Sequence, residues 1–137
     1  MHSGSCLCGA IHFDVRSDLG AVTACHCSQC RKTTGHYAAA VPAPWEKITV
    51  SGQVKWFESS SQARRGFCGN CGSYLFWEEY DGLVYISAGT LDGETGLRMD
   101  GHIFYGDSGD YYDVGEKLPC WTTGRSSPRL DGDQSHG

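Results

Sequence analysis

Seven of the eight cysteines of this chain fall into three clusters, and that clustering restricts the fold more than any other feature. Cys6-Leu7-Cys8 lies near the start, Cys25-His26-Cys27-Ser28-Gln29-Cys30 follows, and Cys68-Gly69-Asn70-Cys71 lies mid-chain. Thiolates this close together repel one another unless a cation sits among them. Zn²⁺ takes four protein ligands in a structural site, and three plus a water or substrate in a catalytic one. Cys6, Cys8, Cys68 and Cys71 make a closed set of four. Cys25, Cys27 and Cys30 are three, which leaves one coordination position open.

Cys68-Gly69-Asn70-Cys71-Gly72 has the pattern of a zinc knuckle. The C-x-x-C spacing bends the backbone so that two sulfurs face one ion. Gly69 and Gly72 allow the φ values of such a turn and let backbone N–H groups approach sulfur. Those N–H donors spread the thiolate charge. Cys6-x-Cys8-Gly9 supplies the other pair. The two pairs lie about 60 residues apart, so closing this site ties the N-terminus to the middle of the chain. A metal clip of that kind stabilises a small domain with a limited core.

The Cys25 trio has no fourth cysteine nearby. Its fourth ligand is a water or substrate, or a distant group such as Cys120 or a histidine; or the trio carries no metal and does redox chemistry. His26 sits between two ligands, so its side chain is expected to point away from the ion. His36 and His102 fall on predicted strands, with core or surface roles. Cys120 reads as a buried small residue. Arg31 and Lys32 directly follow the third thiol. They are either a solvated pair of charges or an anion-binding group beside a metal, suited to a carboxylate-bearing substrate. Arg64-Arg65 is read as balancing an acidic surface.

A chain of 137 residues suits one domain, taken as 1–122. Residues 123–137 have almost nothing to bury and are expected to form a flexible tail. Four Trp, seven Tyr and five Phe favour a β-rich core. A formal charge of −5 argues against nucleic acid as the main partner. The N-terminus lacks the basic and apolar regions of a signal peptide. No apolar run approaches the roughly 18–20 residues that span a bilayer. A soluble cytoplasmic protein is therefore expected. In that compartment clustered thiols read as metal ligands before disulfides.

Alternation predicts a strand from Ala10 to Arg16. Further strands are expected at 21–24, 36–41, 47–50, 53–57, 74–77, 83–86 and 102–105. Pro42-Ala43-Pro44 is expected to end the strand before it. Ser51-Gly52 reads as a two-residue hairpin turn and Asp81-Gly82 as a second hairpin signal. Residues 28–35 read as one helical turn or a loop, and 90–100 and 106–116 as loops. No segment holds a helical period over ten or more residues. The expected fold is mainly β, of short antiparallel strands.

At Gly4-Ser5-Cys6-Leu7-Cys8-Gly9, Cys25-His26-Cys27-Ser28-Gln29-Cys30-Arg31-Lys32 and Phe67-Cys68-Gly69-Asn70-Cys71-Gly72-Ser73-Tyr74-Leu75-Phe76, the chain resembles the glutathione-dependent formaldehyde-activating enzyme family. That family's domain is shared with centromere protein V. The three motifs occur in family order, and the resemblance covers residues 4 to about 121. It implies stacked antiparallel sheets of the β-tent type. It implies a structural zinc at Cys6, Cys8, Cys68 and Cys71, and a second zinc at Cys25, Cys27 and Cys30 with a substrate thiol as exchangeable ligand. The activity it implies joins glutathione and formaldehyde as S-hydroxymethylglutathione, a carbon–sulfur lyase reaction in reverse. The partner is then a small-molecule thiol or thiol adduct, with glutathione as possible co-substrate. The rival readings are a zinc-stabilised binding module, which would fill the fourth position with a protein ligand, and a redox-sensing protein whose Cys25 trio loses zinc on oxidation.

Overall fold

The computed structural model describes residues 1–115 and 117–130; Glu116 and residues 131–137 lie outside the description. The strands are β1 (His2–Ser5), β2 (His12–Val15), β3 (Val22–Cys25), β4 (Ala38–Pro44), β5 (Ile48–Ser51), β6 (Val54–Glu58), β7 (Ala63–Cys68), β8 (Tyr74–Glu79), β9 (Leu83–Ser87) and β10 (Met99–Ile103). A single α-helix among the described residues, α1, spans Ser28–Thr34. The fold is mainly β, with antiparallel and mixed sheets. The chain divides into two compact units: Met1–Gly20 with Ala40–Leu97, and Ala21–Ala39 with the chain from Arg98 onward.

In the first unit β1, β2 and β5 form an antiparallel sheet in that order. The strands β4 (from Ala40), β9, β8, β7 and β6 run side by side, all antiparallel. The alternation read at residues 10–16 is what packs these layers. Phe13 and Val15 are buried while His12 and Asp14 are exposed. The Phe13 ring meets Phe76 of β8 edge-on at 5.3 Å between centroids. That geometry suits the ring quadrupoles and adds to the area that both rings bury.

Several expectations change here. Ser51-Gly52 does not close a hairpin: β5 pairs with β2, and β6 with β7. Gly52 takes φ +100°, and a side chain there would strike the Ala10 carbonyl. The turn therefore carries the chain from one sheet to the other. Asp81-Gly82 does join a hairpin, β8 to β9, with Gly82 at φ +96° and the Leu83 N–H donating to Asp81 Oδ1. β4 continues through Pro42 and Pro44 rather than ending before them. The Trp45 N–H donates to Gly82 O, so odd-numbered residues of β4 face β9 with their N–H groups. The prolines occupy the alternate positions, so their missing N–H groups cost no bond to β9.

Two strands were not anticipated. β1 is short and lacks apolar residues beyond the cysteine motif. β7 carries Arg64 and Arg65, which read as surface charge. Instead Arg64 lies opposite Glu78 on β8 and bonds it at 2.6 Å, with its guanidinium 3.9 Å from the Trp56 ring centroid. Arg65 is 5% exposed and donates to the Tyr74 hydroxyl. Both guanidinium groups lie over aromatic rings, Arg64 on Trp56 and Arg65 on Tyr74 at 5.7 Å, while each stays hydrogen-bonded.

The second unit holds β3, α1 and β10. β10 begins at Met99, earlier than expected, and runs parallel to β3. Parallel pairing needs a long connection, and the whole stretch from Cys25 to Met99 supplies it. Arg125 ties the last described turn down: it bonds Asp100 Oδ1 at 2.7 Å and also Thr23 Oγ1. The Thr123 N–H donates to Ser127 Oγ. Residues 123–130, assigned by composition to the tail, are thus hydrogen-bonded here, and the remainder of that expected tail lies outside the described residues. No helix among the described residues is long and apolar enough to cross a membrane.

Candidate metal centres

The first centre lies in the first unit. The chain reverses after Cys6, and the Cys6 N–H bonds Ile11 O while the Gly9 N–H bonds Cys6 O. It reverses the same way after Cys68, with the Cys68 N–H on Ser73 O and the Gly72 N–H on Cys68 O. Gly9 and Gly72 both adopt φ +81°. Only Gly72 of the two knuckle glycines uses left-handed backbone; Gly69 does not need it. Gly72→Ala meets no steric contact but forces a side chain into that conformation. The expected cost is about 1–2 kcal/mol, checked by urea unfolding of the metal-loaded protein.

The four sulfurs converge within 4.8 Å of one another. Cys6 Sγ lies 3.7 Å from Cys8 Sγ, and Cys8 Sγ lies 3.8 Å from Cys68 Sγ. Tetrahedral zinc at its usual bond length to sulfur spaces ligands about 3.8 Å apart, so the donor set fits that ion. The surrounding donors fit too. Ile11 N–H reaches Cys6 Sγ at 3.3 Å, and Asn70 and Cys71 N–H groups reach Cys68 Sγ at 3.3 and 3.4 Å. Asn70 Nδ2 donates to the exposed Cys8 at 3.2 Å. Ser73 takes the Leu7 N–H and donates to Cys71 Sγ. That hydroxyl is the main reason the Cys71 thiol is pushed down to about 5. Asn70 and Ser73 were not singled out from sequence, because a side chain's reach across a knuckle depends on the fold.

The second centre lies in the second unit. β3 delivers Cys25, and α1 begins immediately after Cys27. Cys27 is the N-cap of that helix, with its Sγ accepting the Cys30 N–H at 3.4 Å. The cap draws the two sulfurs to one side. Gly35 at φ +82° ends the helix after seven residues, its N–H on Arg31 O. So short a helix shows no period in sequence, which is why residues 28–35 remained ambiguous. The three sulfurs lie within 4.8 Å of one another, and among the described residues no fourth Cys, His, Asp or Glu joins them. Hydrogen bonds from Cys25 and Cys30 push the Cys27 thiol down, and the same contacts push Cys25 far up. The trio cannot ionise together unaided, and a cation is what removes that conflict.

His26 turns away from the sulfurs, as expected, but it is more than packing. It is fully buried, as is His102. His26 Nε2 lies 2.9 Å from His102 Nδ1, and His26 Nδ1 lies 2.6 Å from the Tyr112 hydroxyl. Burial pushes the Tyr112 phenol up, so it stays protonated at neutral pH. Phe104, at φ 55°, turns the chain out of β10 and leaves Tyr105 edge-on to His26 at 5.0 Å. Tyr105, at the end of the strand expected over 102–105, and Tyr112, in a loop, were not singled out from sequence, because both lie far along the chain from Cys25.

Arg31 is half-buried on α1, and its buried Nε has no hydrogen-bond partner among the described residues. Lys32 is exposed. His36 is exposed, its ring 4.4 Å from that of Tyr112. Cys120 is buried and bonded to Leu118 O, apart from both clusters.

The family model for glutathione-dependent formaldehyde-activating enzyme matches residues 1–107. An uncharacterized lyase of Schizosaccharomyces pombe is 29% identical over 124 residues, spanning 88% of this chain and 90% of that protein. A Halomonas elongata protein provisionally named glutathione-dependent formaldehyde-activating enzyme is 32% identical over 103 residues, 66% of either chain. The crystal structure of a Rhodobacter sphaeroides protein aligns with a TM-score of 0.57 at 22% identity, over 69% of this chain and 91% of its own, and shares the fold. With a family match that runs from residue 1 to residue 107 and takes in all three cysteine clusters, the chain belongs to the glutathione-dependent formaldehyde-activating enzyme family.

Proposed function

We propose that the protein is a zinc-dependent carbon–sulfur lyase that makes or breaks a thiol–aldehyde adduct of the S-hydroxymethylglutathione type. One observation carries this reading: the Cys25, Cys27 and Cys30 sulfurs converge with no fourth protein ligand among the described residues. A binding module has no need of an open position. In this reading Cys6, Cys8, Cys68 and Cys71 hold a structural zinc, and the catalytic unit is residues 1–122.

Zinc at the open set supplies a Lewis acid that keeps a bound sulfur as thiolate. The chain's own residues do the rest. Cys25, Cys27 and Cys30 would hold the zinc and leave a ligand position for a substrate. Arg31 offers an unpartnered, buried donor to a substrate carboxylate, and exposed Lys32 adds positive charge next to it. In the joining direction the thiol sulfur bonds the aldehyde carbon, and the thiol proton ends on the aldehyde oxygen as a hydroxyl. The cleavage direction breaks that carbon–sulfur bond and returns the proton.

The test is exchange between ¹³C-formaldehyde, glutathione and their adduct, followed by NMR. Exchange well above the spontaneous rate is expected. The spontaneous rate in zinc-loaded protein, with glutathione and with a panel of smaller thiols, would sink the reading. Arg31→Ala should raise KM for a carboxylate-bearing thiol about tenfold or more, with kcat less affected, as loss of a hydrogen bond to a charged group implies. An unchanged KM in steady-state kinetics would remove Arg31 from the substrate site.

A further inference from the structure

We propose that Tyr112, acting through His26, is a positioning residue for the Cys25, Cys27 and Cys30 cluster, an inference that rests on that cluster holding a metal. His26 lies between two of the three cysteines, so whatever holds its ring also holds the peptide units that carry Cys25 and Cys27. Both ring nitrogens are engaged: Nε2 with His102 Nδ1 at 2.9 Å, and Nδ1 with the Tyr112 hydroxyl at 2.6 Å. The His26 main-chain N–H is engaged as well, with Ile103 O at 2.9 Å. A neutral imidazole has one N–H and one acceptor, so the three groups form a chain running in one direction. The His26 ring is fully buried and is flanked by Tyr37 at 4.9 Å and Tyr105 at 5.0 Å. It cannot rotate without breaking buried hydrogen bonds, and such networks rigidify what they hold.

Tyr112 is itself anchored. The neighbouring Tyr111 hydroxyl donates to Gly35 O at 3.1 Å, and the His36 ring packs on Tyr112 at 4.4 Å. Gly35 is the C-cap of α1, and Cys27 is its N-cap. The Tyr111-Tyr112 segment therefore braces His26, which precedes the N-cap Cys27, and Gly35, the residue just after the helix. The helix between them carries Cys30. One pair of tyrosines thus sets the positions from which all three sulfurs project.

Tyr112→Phe tests this, because it keeps the ring and removes only the hydroxyl. The full chain, loaded with zinc, is challenged with a chromogenic chelator, and zinc per chain is followed by native mass spectrometry. The more labile zinc is expected to leave about tenfold faster or more than from the parent, the scale on which outer partners of a metal site act. The tightly held zinc should stay, and Tm should fall only by the several degrees that loss of one hydrogen bond to a buried group implies. His102→Asn, which keeps a polar atom near the Nδ1 position, should release zinc more slowly than His102→Leu. Release from Tyr112→Phe at the parental rate would overturn the proposal and leave the chain as packing. A parent that binds a single zinc overturns it too. Faster release from Tyr112→Phe in a protein that shows no carbon–sulfur exchange would uphold the positioning role while the lyase reading falls.

Discussion

Cys71→Ser is expected to unfold the first unit, or to lower Tm by on the order of 10 °C or more, because a structural metal site contributes its binding energy to folding. Apparent zinc affinities in such sites correspond to roughly 10–16 kcal/mol, as large as the whole stability of a typical domain. The four sulfurs join residues 6–8 to residues 68–71, two turns far apart in the chain. A serine hydroxyl is a poor substitute for thiolate on zinc. It also leaves Ser73 Oγ, now 3.2 Å from Cys71 Sγ, facing a shorter and harder partner. Circular dichroism on heating, with zinc counted in the same sample, reads the result. The mutant should lose the tightly held zinc and its cooperative transition together.

Cys27→Ser should behave differently. It is expected to remove the labile zinc and to lower carbon–sulfur exchange by about a hundredfold or more, beyond the loss caused by outer partners alone. Its effect on melting should be small, within about 3 °C, because Ser is itself a preferred N-cap and can accept the Cys30 N–H that Cys27 Sγ accepts now. The contrast is the point. If Cys71→Ser and Cys27→Ser melted alike, whether both like the parent or both far below it, the division into a structural and an open site would be wrong. Equal zinc loss from the two variants would say the same.

The cysteine clusters were the most legible part of this chain. Ligand spacing is local chemistry: C-x-C and C-x-x-C force a turn that presents two sulfurs to one point, whatever lies around it. The grouping of Cys6 and Cys8 with Cys68 and Cys71, and the separate trio at Cys25, Cys27 and Cys30, is found in the structure. The β character was legible for a related reason. Alternation at His12-Phe13-Asp14-Val15 reports burial directly, since successive side chains of a strand point to opposite faces. Asp81-Gly82 was legible as a hairpin signal because Gly82 takes the left-handed backbone that the reversal needs, although the connection is three residues long, 80–82. Ser51-Gly52 looked the same and is not a hairpin. A two-residue turn specifies a reversal of direction, but which strand pairs with which depends on where Ile48–Ser51 and Val54–Glu58 find partners.

What the sequence by itself determined is therefore the set of thiols, their division into four and three, and the period of the strands, because each depends on groups a few residues apart. Only the tertiary structure decided the rest. It put Arg64 against Glu78 and Trp56, and it ran β10 parallel to β3. It also brought His102 and Tyr112 onto His26, across separations of 76 and 86 residues. Contacts of that kind leave no local trace, because a buried hydrogen bond forms between whichever donors and acceptors the packed backbone brings within about 3 Å, and chain separation does not enter its energy.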